Sequence, residues 1–192
     1  MFENCTGLTE INNSLIRVKN GYYLCMFKGC TGLTSIPDDL FNNCIYCYCA
    51  GMFENCTGLT SIPNNLFTNM NNNNFIELFN GCTGLNYLPE NMFNDCINIS
   101  VSRMFRGCTS LTSLPENMFN DCSKIDCSSM ISNSIVLTSL PENMFNNCSE
   151  FDCTNMFYRC TGLTSLPDNL FNTCTSFNCT GMFRGCTGLT SL

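Results

Sequence analysis

The sequence repeats itself every 26 residues, and this period limits the possible folds more than any other feature. If Met26 is taken as column 1 of the repeat unit, the equivalent positions that follow are Met52, Leu78, Met104, Met130, Met156 and Met182. A unit of this size cannot bury its apolar side chains alone, whereas stacked units bury them against one another. The period therefore predicts a repeat solenoid of about seven coils.

The units that begin at these positions are called coils 1 to 7 below. Residues 1–25 are a degenerate opening copy, which departs from the repeat after Ile11, and residues 26–192 carry the regular repeats. We expect a single solenoid over residues 1–192, with coils roughly 4.8 Å apart where strands pair between them. Because the sequence starts and stops inside a repeat, we expect it to be a fragment of a longer array.

Apolar residues recur in steps of three within each coil, as in Phe105, Cys108 and Leu111. This spacing matches neither the helical period nor strand alternation, and it favours short strands joined by single helical turns. Pro at column 12 cannot donate a backbone hydrogen bond, so we predict a strand at columns 8–11 and a helical turn directly after it, in the PENMF segment. The alternation at columns 22 and 24, as in Ile125-x-Cys127, predicts a second strand.

Charge and composition exclude several functions. Eight basic and fifteen acidic residues give a net charge of −7, so the composition predicts no nucleic-acid partner. The chain has no His, which removes the commonest general base and metal ligand, and we predict that it is not an enzyme. It contains neither a signal peptide nor a run of about 18 apolar residues, so we expect no membrane insertion in this segment.

The run MF-x-x-C-T-G-L-T-S-L-P resembles the BspA-like class of leucine-rich repeat surface proteins. Residues 104–111, MFRGCTSL, match the MF-x-G-C-x-S-L run of that family, and the resemblance covers almost the whole chain. It implies a leucine-rich-repeat-like solenoid, an extracellular or cell-surface location, and adhesion to host or matrix proteins. The chain departs from the commoner pattern in its Pro-x-Asn-Leu/Met-Phe-x-x-Cys segment and in its cysteine content.

Most of the 18 cysteines fall in three columns. Column 5 holds Cys30, Cys56, Cys82, Cys108, Cys160 and Cys186; column 19 holds Cys44, Cys96, Cys122, Cys148 and Cys174; column 24 holds Cys49, Cys127, Cys153 and Cys179. The residues that replace Cys are mostly apolar, and cysteines are not lost in fixed pairs. We interpret the columns as structural ladders of buried thiols. Scattered disulfides are the alternative, with which the even number of cysteines is compatible.

Cys44, Cys47 and Cys49 form the densest thiol cluster. Clustered thiolates bind zinc, so a metal site is one interpretation. Cys44 and Cys49 obey columns 19 and 24, however, and only Cys47 is additional. We therefore predict neither a bound metal nor a cofactor.

Two polar rows are candidates for a partner face. Thr residues recur at columns 6 and 9, and acidic residues recur at column 13. The candidates are Thr57, Thr60, Thr109, Thr112, Thr161, Thr164, Glu90, Glu116, Glu142 and Asp168. Strand propensity and hydroxyl-to-backbone hydrogen bonds explain the Thr row without a ligand, and a solvated edge explains the acidic row.

Three function hypotheses follow. The first is a non-catalytic extracellular or cell-surface scaffold for adhesion or protein–protein interaction. The second is a structural subunit of a self-assembling extracellular fibre, because exposed solenoid ends and strand edges promote filament formation or lateral association. The third is a store of thiols or metal, suggested by the number of cysteines.

Overall fold

The computed structural model describes residues 1–12, 19–41, 43–64, 66–67, 72–90, 92–93, 97–119, 122–145, 149–171 and 175–191. In these ranges the chain winds into stacked coils joined by short strands. The strands are β1 (Lys19–Tyr22), β2 (Asn43–Tyr48), β3 (Ile99–Ser100), β4 (Lys124–Asp126), β5 (Glu150–Asp152) and β6 (Ser176–Asn178).

All strand pairs are parallel, and paired residues from β3 to β6 lie one repeat apart. Ile125 of β4 pairs with Ile99 in the coil before it and with Phe151 in the coil after it. Isolated bridges from Asn74 to Tyr48 and to Ser100 connect β2 with β3 across coil 2. The register confirms a repeat solenoid, and the second predicted strand lies at columns 21–23, one column earlier than expected.

The segment from column 24 to column 8 of the next coil is a series of turns. N–H groups at columns 1, 3, 5 and 8 donate to the carbonyl three residues earlier, as from Cys56 to Phe53 (3.1 Å). N–H groups at columns 24, 26, 2 and 4 donate to the next coil, as from Phe53 to Leu78 (3.0 Å). Columns 26 and 4 have φ between 52° and 78°, a left-handed conformation that favours the Gly and Asn residues found at most of these positions. The regular succession of turn bonds and bonds to the next coil directs every third side chain inward, which accounts for the spacing of apolar residues in steps of three.

The strand predicted at columns 8–11 is absent from the residues that the structure describes, so this prediction was wrong. Coil-to-coil backbone bonding there is a single bond at column 9, as from the Thr34 N–H to the Thr9 carbonyl (3.2 Å). The preceding turn ends at column 8 and Pro at column 12 has no N–H, so too few consecutive donors remain for a ladder. After the proline, the Leu40 N–H donates to the Pro37 carbonyl (3.2 Å), which forms a tight turn where we predicted a helical one.

The core consists of side-chain columns that run along the solenoid axis. Phe27, Phe53, Phe79 and Phe105 at column 2 are fully buried, and successive rings lie 5.5–5.7 Å apart with interplanar angles of 7° or less. Leu at column 8 and Met at column 1 are buried beside them. Each coil therefore buries its apolar residues against the same residues of its neighbours, as a nearest-neighbour stack requires.

A bulge in β2 brings two of the clustered cysteines together. Opposite the two-residue step from Lys19 to Gly21 in β1, β2 uses the four-residue step from Asn43 to Cys47. Cys44 and Cys47 lie in this bulge with their Cα atoms 6.0 Å apart, and they form a disulfide.

Candidate functional site

A groove of about 660 Å³ runs along the outer side of the strands. It is lined by columns 21 to 23 from coil 1 to coil 6, that is, from Tyr48 to Asn178. Strand alternation explains its composition, because the column-22 side chains of Ile125 and Phe151 point into the core while columns 21 and 23 face outward. The short strands thus present two parallel rows of side chains to solvent.

The middle of the groove is acidic. Lys124 and Glu150 at column 21 form a salt bridge of 3.3 Å, and both side chains are more than half exposed. Asp126 and Asp152 pair directly at column 23 of the same two coils. One cation therefore faces three carboxylates, which gives this part of the groove a negative charge.

Column 23 also has a structural role within its own coil. The Asp126 carboxylate accepts hydrogen bonds from the N–H and hydroxyl of Ser128 (3.1 and 2.6 Å). Asp152 and Asn178 accept equivalent bonds from the N–H groups of Thr154 and Thr180. These Asx turns begin the turn segment and hold the outward side chain in place.

One end of the groove is aromatic. Tyr48 lines this end and stacks on Tyr22, its partner in the opening copy just beyond the lining, with ring centroids 4.9 Å apart. Tyr22 is 77% exposed and Tyr48 is 47% exposed. In the next coils the groove is lined by amides, and the Asn98 side chain donates to the Asn72 side chain (3.3 Å). The groove therefore changes along the axis from aromatic to amide to acidic surface.

The predicted Thr row lies on the surface, away from this groove. Thr57, Thr60, Thr112, Thr161 and Thr164 are exposed, and Thr109 is half-buried. At column 9 the hydroxyl is used in the stack itself, because the Thr164 hydroxyl donates to the carbonyl of Thr138 in the preceding coil (3.3 Å). The structure thus shows the hydroxyl-to-backbone bond at column 9, and a partner face formed by the Thr row stays a prediction.

The predicted acidic row is also exposed. It comprises Glu90, Glu116, Glu142 and Asp168, and none of these residues lines the groove. The Thr row and the acidic row, which the sequence suggested as a partner face, therefore lie apart from the groove.

The column-5 thiols are buried and each has a hydrogen-bond partner. The Cys56 thiol donates to the Phe27 carbonyl of the preceding coil (3.1 Å), and Cys82 donates to Phe53 in the same way (3.1 Å). Equivalent bonds are made by Cys30, Cys108, Cys160 and Cys186. Burial raises the thiol pKa of Cys56, Cys108 and Cys160 to about 12, so these thiols are protonated and unreactive at neutral pH.

The other two cysteine columns are less uniform. At column 19 the Cys122 thiol donates to the Phe93 carbonyl (3.0 Å), whereas Cys44 is in the disulfide. At column 24 Cys49 and Cys127 are buried, and the Cys127 and Cys153 sulfurs lie 3.2 Å apart. Cys179 is exposed, and Cys96, Cys148 and Cys174 lie outside the described residues.

The cluster of Cys44, Cys47 and Cys49 does not offer three thiolates. Its first two members form the disulfide, and burial raises the pKa of the Cys49 thiol to about 12. Within the described ranges no group of three or more Cys, Asp or Glu side chains has a geometry suited to a metal ion. The expectation that this cluster holds no metal stays a prediction.

Sequence reasoning missed the groove residues, although it found the strand that carries them. The Ile-x-Cys alternation fixed which side chains point inward, and it therefore implied that columns 21 and 23 point outward. The residues at those columns vary from Tyr to Asn, Ser, Asp and Lys. They therefore do not form a regular row of one chemical type, as columns 6, 9 and 13 mostly do.

The sequence matches no protein-family model and shows no significant match to a curated protein. Among solved structures it is similar to a leucine-rich repeat protein from Bacteroides ovatus ATCC 8483, with 21% sequence identity and a TM-score of 0.37. The comparison covers 100% of this chain and 62% of that chain. The neighbour is of the same broad class as the resemblance seen in the sequence, while the fold described above rests on the coil register itself. In the described residues no helix combines the length and apolar character that a membrane span needs.

Proposed function

We propose that this protein is a non-catalytic scaffold that binds a protein partner along the groove of columns 21–23. The groove itself carries the proposal, because it extends along six coils and presents side chains of several chemical types on a regular backbone. Ligands bind to rigid scaffolds mostly at preformed concave surfaces of this kind. The resemblance to BspA-like proteins supports adhesion at a cell surface as the setting.

The chemistry of the groove favours an extended polypeptide with a basic segment. Asp126, Glu150 and Asp152 provide carboxylates for Lys or Arg side chains of a partner. Tyr22 and Tyr48 provide an exposed stacked pair on which an aromatic or proline side chain can pack. Six coils at roughly 4.8 Å per step provide room for an extended segment of about seven residues.

Panning a library of linear twelve-residue peptides against the immobilised 192-residue chain tests the proposal. Enriched peptides should contain basic residues, and their affinity should fall about tenfold for the double variant Glu150→Gln, Tyr48→Ala, since both side chains contact solvent in the groove. The matched control is Glu116→Gln together with Thr112→Val, which alters the other polar rows. Peptides that lose affinity only for this control variant, or equally for both variants, would refute the groove as the binding site.

The proposed cell-surface setting has its own test. Antibodies against the chain should label intact cells of the source organism as strongly as permeabilised cells. Labelling that requires permeabilisation would contradict the setting and would leave the groove proposal to be decided by the peptide experiment.

A further inference from the structure

A second depression, of about 320 Å³, lies on a different face of the solenoid and is lined by arginines. Its lining is formed by columns 26, 3 and 4 of coils 3 to 7. The residues are Arg103, Arg106, Ser129, Ser132, Asn133, Asn155, Tyr158 and Arg184. No aliphatic or acidic side chain is among them, so every lining side chain can form a hydrogen bond. We call this surface the arginine basin.

The positive charge of the basin stands out against a chain of net charge −7. Five of the eight basic residues lie in these columns. Lys28 is in coil 1, and the other four are Arg103, Arg106, Arg184 and the neighbouring Arg159. Arg103 is paired with Glu77 (3.1 Å), and Arg159 lies over the ring of Tyr158 with 5.1 Å to its centroid. Among the described residues neither Arg106 nor Arg184 forms a salt bridge, so their charges are available to a ligand.

The two available guanidinium groups lie at opposite ends of the basin. Arg106 and Arg184 both occupy column 3, three coil steps apart, which corresponds to roughly 14 Å at the usual strand spacing. Between them lie Ser132 and Tyr158 in the same column. A ligand that spans the basin therefore meets a cation at each end and neutral hydrogen-bonding groups in the middle.

The middle of the basin has unused hydrogen-bonding capacity. Within the described residues the side-chain amides of Asn133 and Asn155 make no hydrogen bond. Arg103 and Ser129 hold side chains at left-handed positions (φ 54° in both), where Gly51 and Gly181 stand in other coils. An L-residue in the left-handed conformation costs roughly 1 kcal/mol or more. Side chains are therefore present on this face although the backbone conformation favours glycine.

We propose that the arginine basin binds an acidic oligosaccharide, with carboxylate or sulfate groups on Arg106 and Arg184 and sugar hydroxyls on Ser129, Asn133 and Asn155. Guanidinium groups bind such anions through paired, charge-assisted hydrogen bonds. Sugar hydroxyls both donate and accept, and so do the amide and hydroxyl side chains of the basin. An acidic peptide could also pair its carboxylates with the arginines, so it is the competing ligand in the test.

Isothermal titration of the 192-residue chain tests this site, with trigalacturonic acid and a heparin tetrasaccharide as the acidic probes and maltotriose as the neutral one. At least one acidic probe should bind, its affinity should fall with salt, and maltotriose should bind far more weakly. The double variant Arg106→Ser, Arg184→Ser should weaken binding by about tenfold or more. The double variant Asn133→Ala, Asn155→Ala should also weaken binding, but the change of affinity with salt concentration should remain that of the unsubstituted chain.

The chain offers a matched control for charge. Lys28→Ser removes one cation from the same column 3 in coil 1, where Lys28 pairs with Glu54 (2.7 Å), and it should change the affinity less than twofold. An equal loss with this variant would mean attraction by general charge and would refute the site. Failure of both acidic probes to bind, or equally tight binding of a pentaglutamate peptide, would refute the saccharide assignment. The groove variant Glu150→Gln, Tyr48→Ala should bind the saccharide normally, which keeps the two proposals separate.

Discussion

A cysteine at column 5 is small enough to lie between two coils and still donate its hydrogen to a carbonyl. The coil 5 exception shows why the residue type matters. Ser134 replaces Cys there, and in the described structure its buried hydroxyl has no hydrogen-bond partner. The shorter C–O bond leaves the hydroxyl short of the column-2 carbonyl that a thiol reaches. At this column the longer C–S bond therefore lets the side chain reach the carbonyl of the preceding coil.

Ser134→Cys should stabilise the solenoid by about 1 kcal/mol, because it replaces an unsatisfied buried hydroxyl by a bonded thiol. Chemical denaturation with urea, monitored by circular dichroism under reducing conditions, measures the change. The reverse substitution, Cys108→Ser, should destabilise the chain by a similar or larger amount. A destabilised Ser134→Cys variant would show that the thiol hydrogen bond is not the reason for Cys at this column.

The raised thiol pKa values make stability depend on pH in the alkaline range. A thiol that ionises near pH 8.5 in the unfolded chain stays protonated in the folded chain up to about pH 12, as for Cys56, Cys108 and Cys160. Between these limits the folded state binds more protons than the unfolded state, so stability falls as pH rises, by about 1.4 kcal/mol per pH unit and thiol. The urea concentration at the midpoint of unfolding should be constant below pH 8 and should decrease above pH 9. Cys56→Ala should make the decline shallower, whereas Thr112→Val, which removes no titratable group, should leave it unchanged.

At the scale of the element, the transition from strand to turn in each coil depends on the side chain at column 23. Asp126 ends a strand and opens a turn at once, because its carboxylate binds Ser128 of its own coil and accepts the Ser100 hydroxyl of the coil before (3.1 Å). Replacing it by Ala should cost about 1 to 2 kcal/mol, whereas Asp126→Asn keeps the accepting oxygen and should cost little. Thermal unfolding of the two variants checks this. Equal losses would assign the effect to charge instead of the Asx turn.

The close contact between coils 2 and 3 depends on Gly84 at column 7, a column that holds Ser110 and Val136 in coils 4 and 5. A Cβ atom added at Gly84 would overlap the Thr57 and Leu59 carbonyl oxygens, closer than van der Waals contact allows, whereas one added at Gly7 would meet nothing within 4 Å. Gly84→Ala must therefore widen the local spacing and should destabilise the chain by about 1 to 3 kcal/mol. Gly7→Ala, the same change in the opening copy, should be nearly neutral. Urea denaturation of both variants decides whether the contact or the loss of glycine flexibility matters.

Particular elements show how far the sequence could predict this structure. The second strand was predictable because the alternation at Ile125 and Cys127 is the direct signature of a strand with one buried face. The strand at columns 8–11 was predicted wrongly because regular apolar spacing arises equally from a chain of turns, and only the donor pattern around Thr9 and Thr34 separates the two. The groove and the arginine basin were missed because each joins residues from several coils whose side chains differ.

At the scale of the whole molecule, stability comes from contacts between neighbouring coils. Leu111 is fully buried between coils, so Leu111→Asp places a charge with no partner in the stack and should cost several kcal/mol. Hydrogen exchange should show lost protection in coils 3 to 5 that decreases with distance from the substitution. Leu189→Asp, at a partly buried position in coil 7, is the control and should affect only its own neighbourhood. Uniform loss of protection in both variants would mean that the chain unfolds as one cooperative unit.

The turn bonds between coils have a direction that gives the solenoid a polarity. At columns 26, 2 and 4 the N–H of one coil always donates to the carbonyl of the following coil, as in Gly51 to Ile76, Phe53 to Leu78 and Asn55 to Asn80. In these three columns the donors therefore point towards coil 7 and the acceptors towards the opening copy, so the dipoles of these bonds add. In these columns the two faces of a coil are chemically unlike, because one presents carbonyl groups and the other presents N–H groups. Any coil or second copy stacked on an end must arrive in the same orientation, because in the opposite orientation like groups would face each other.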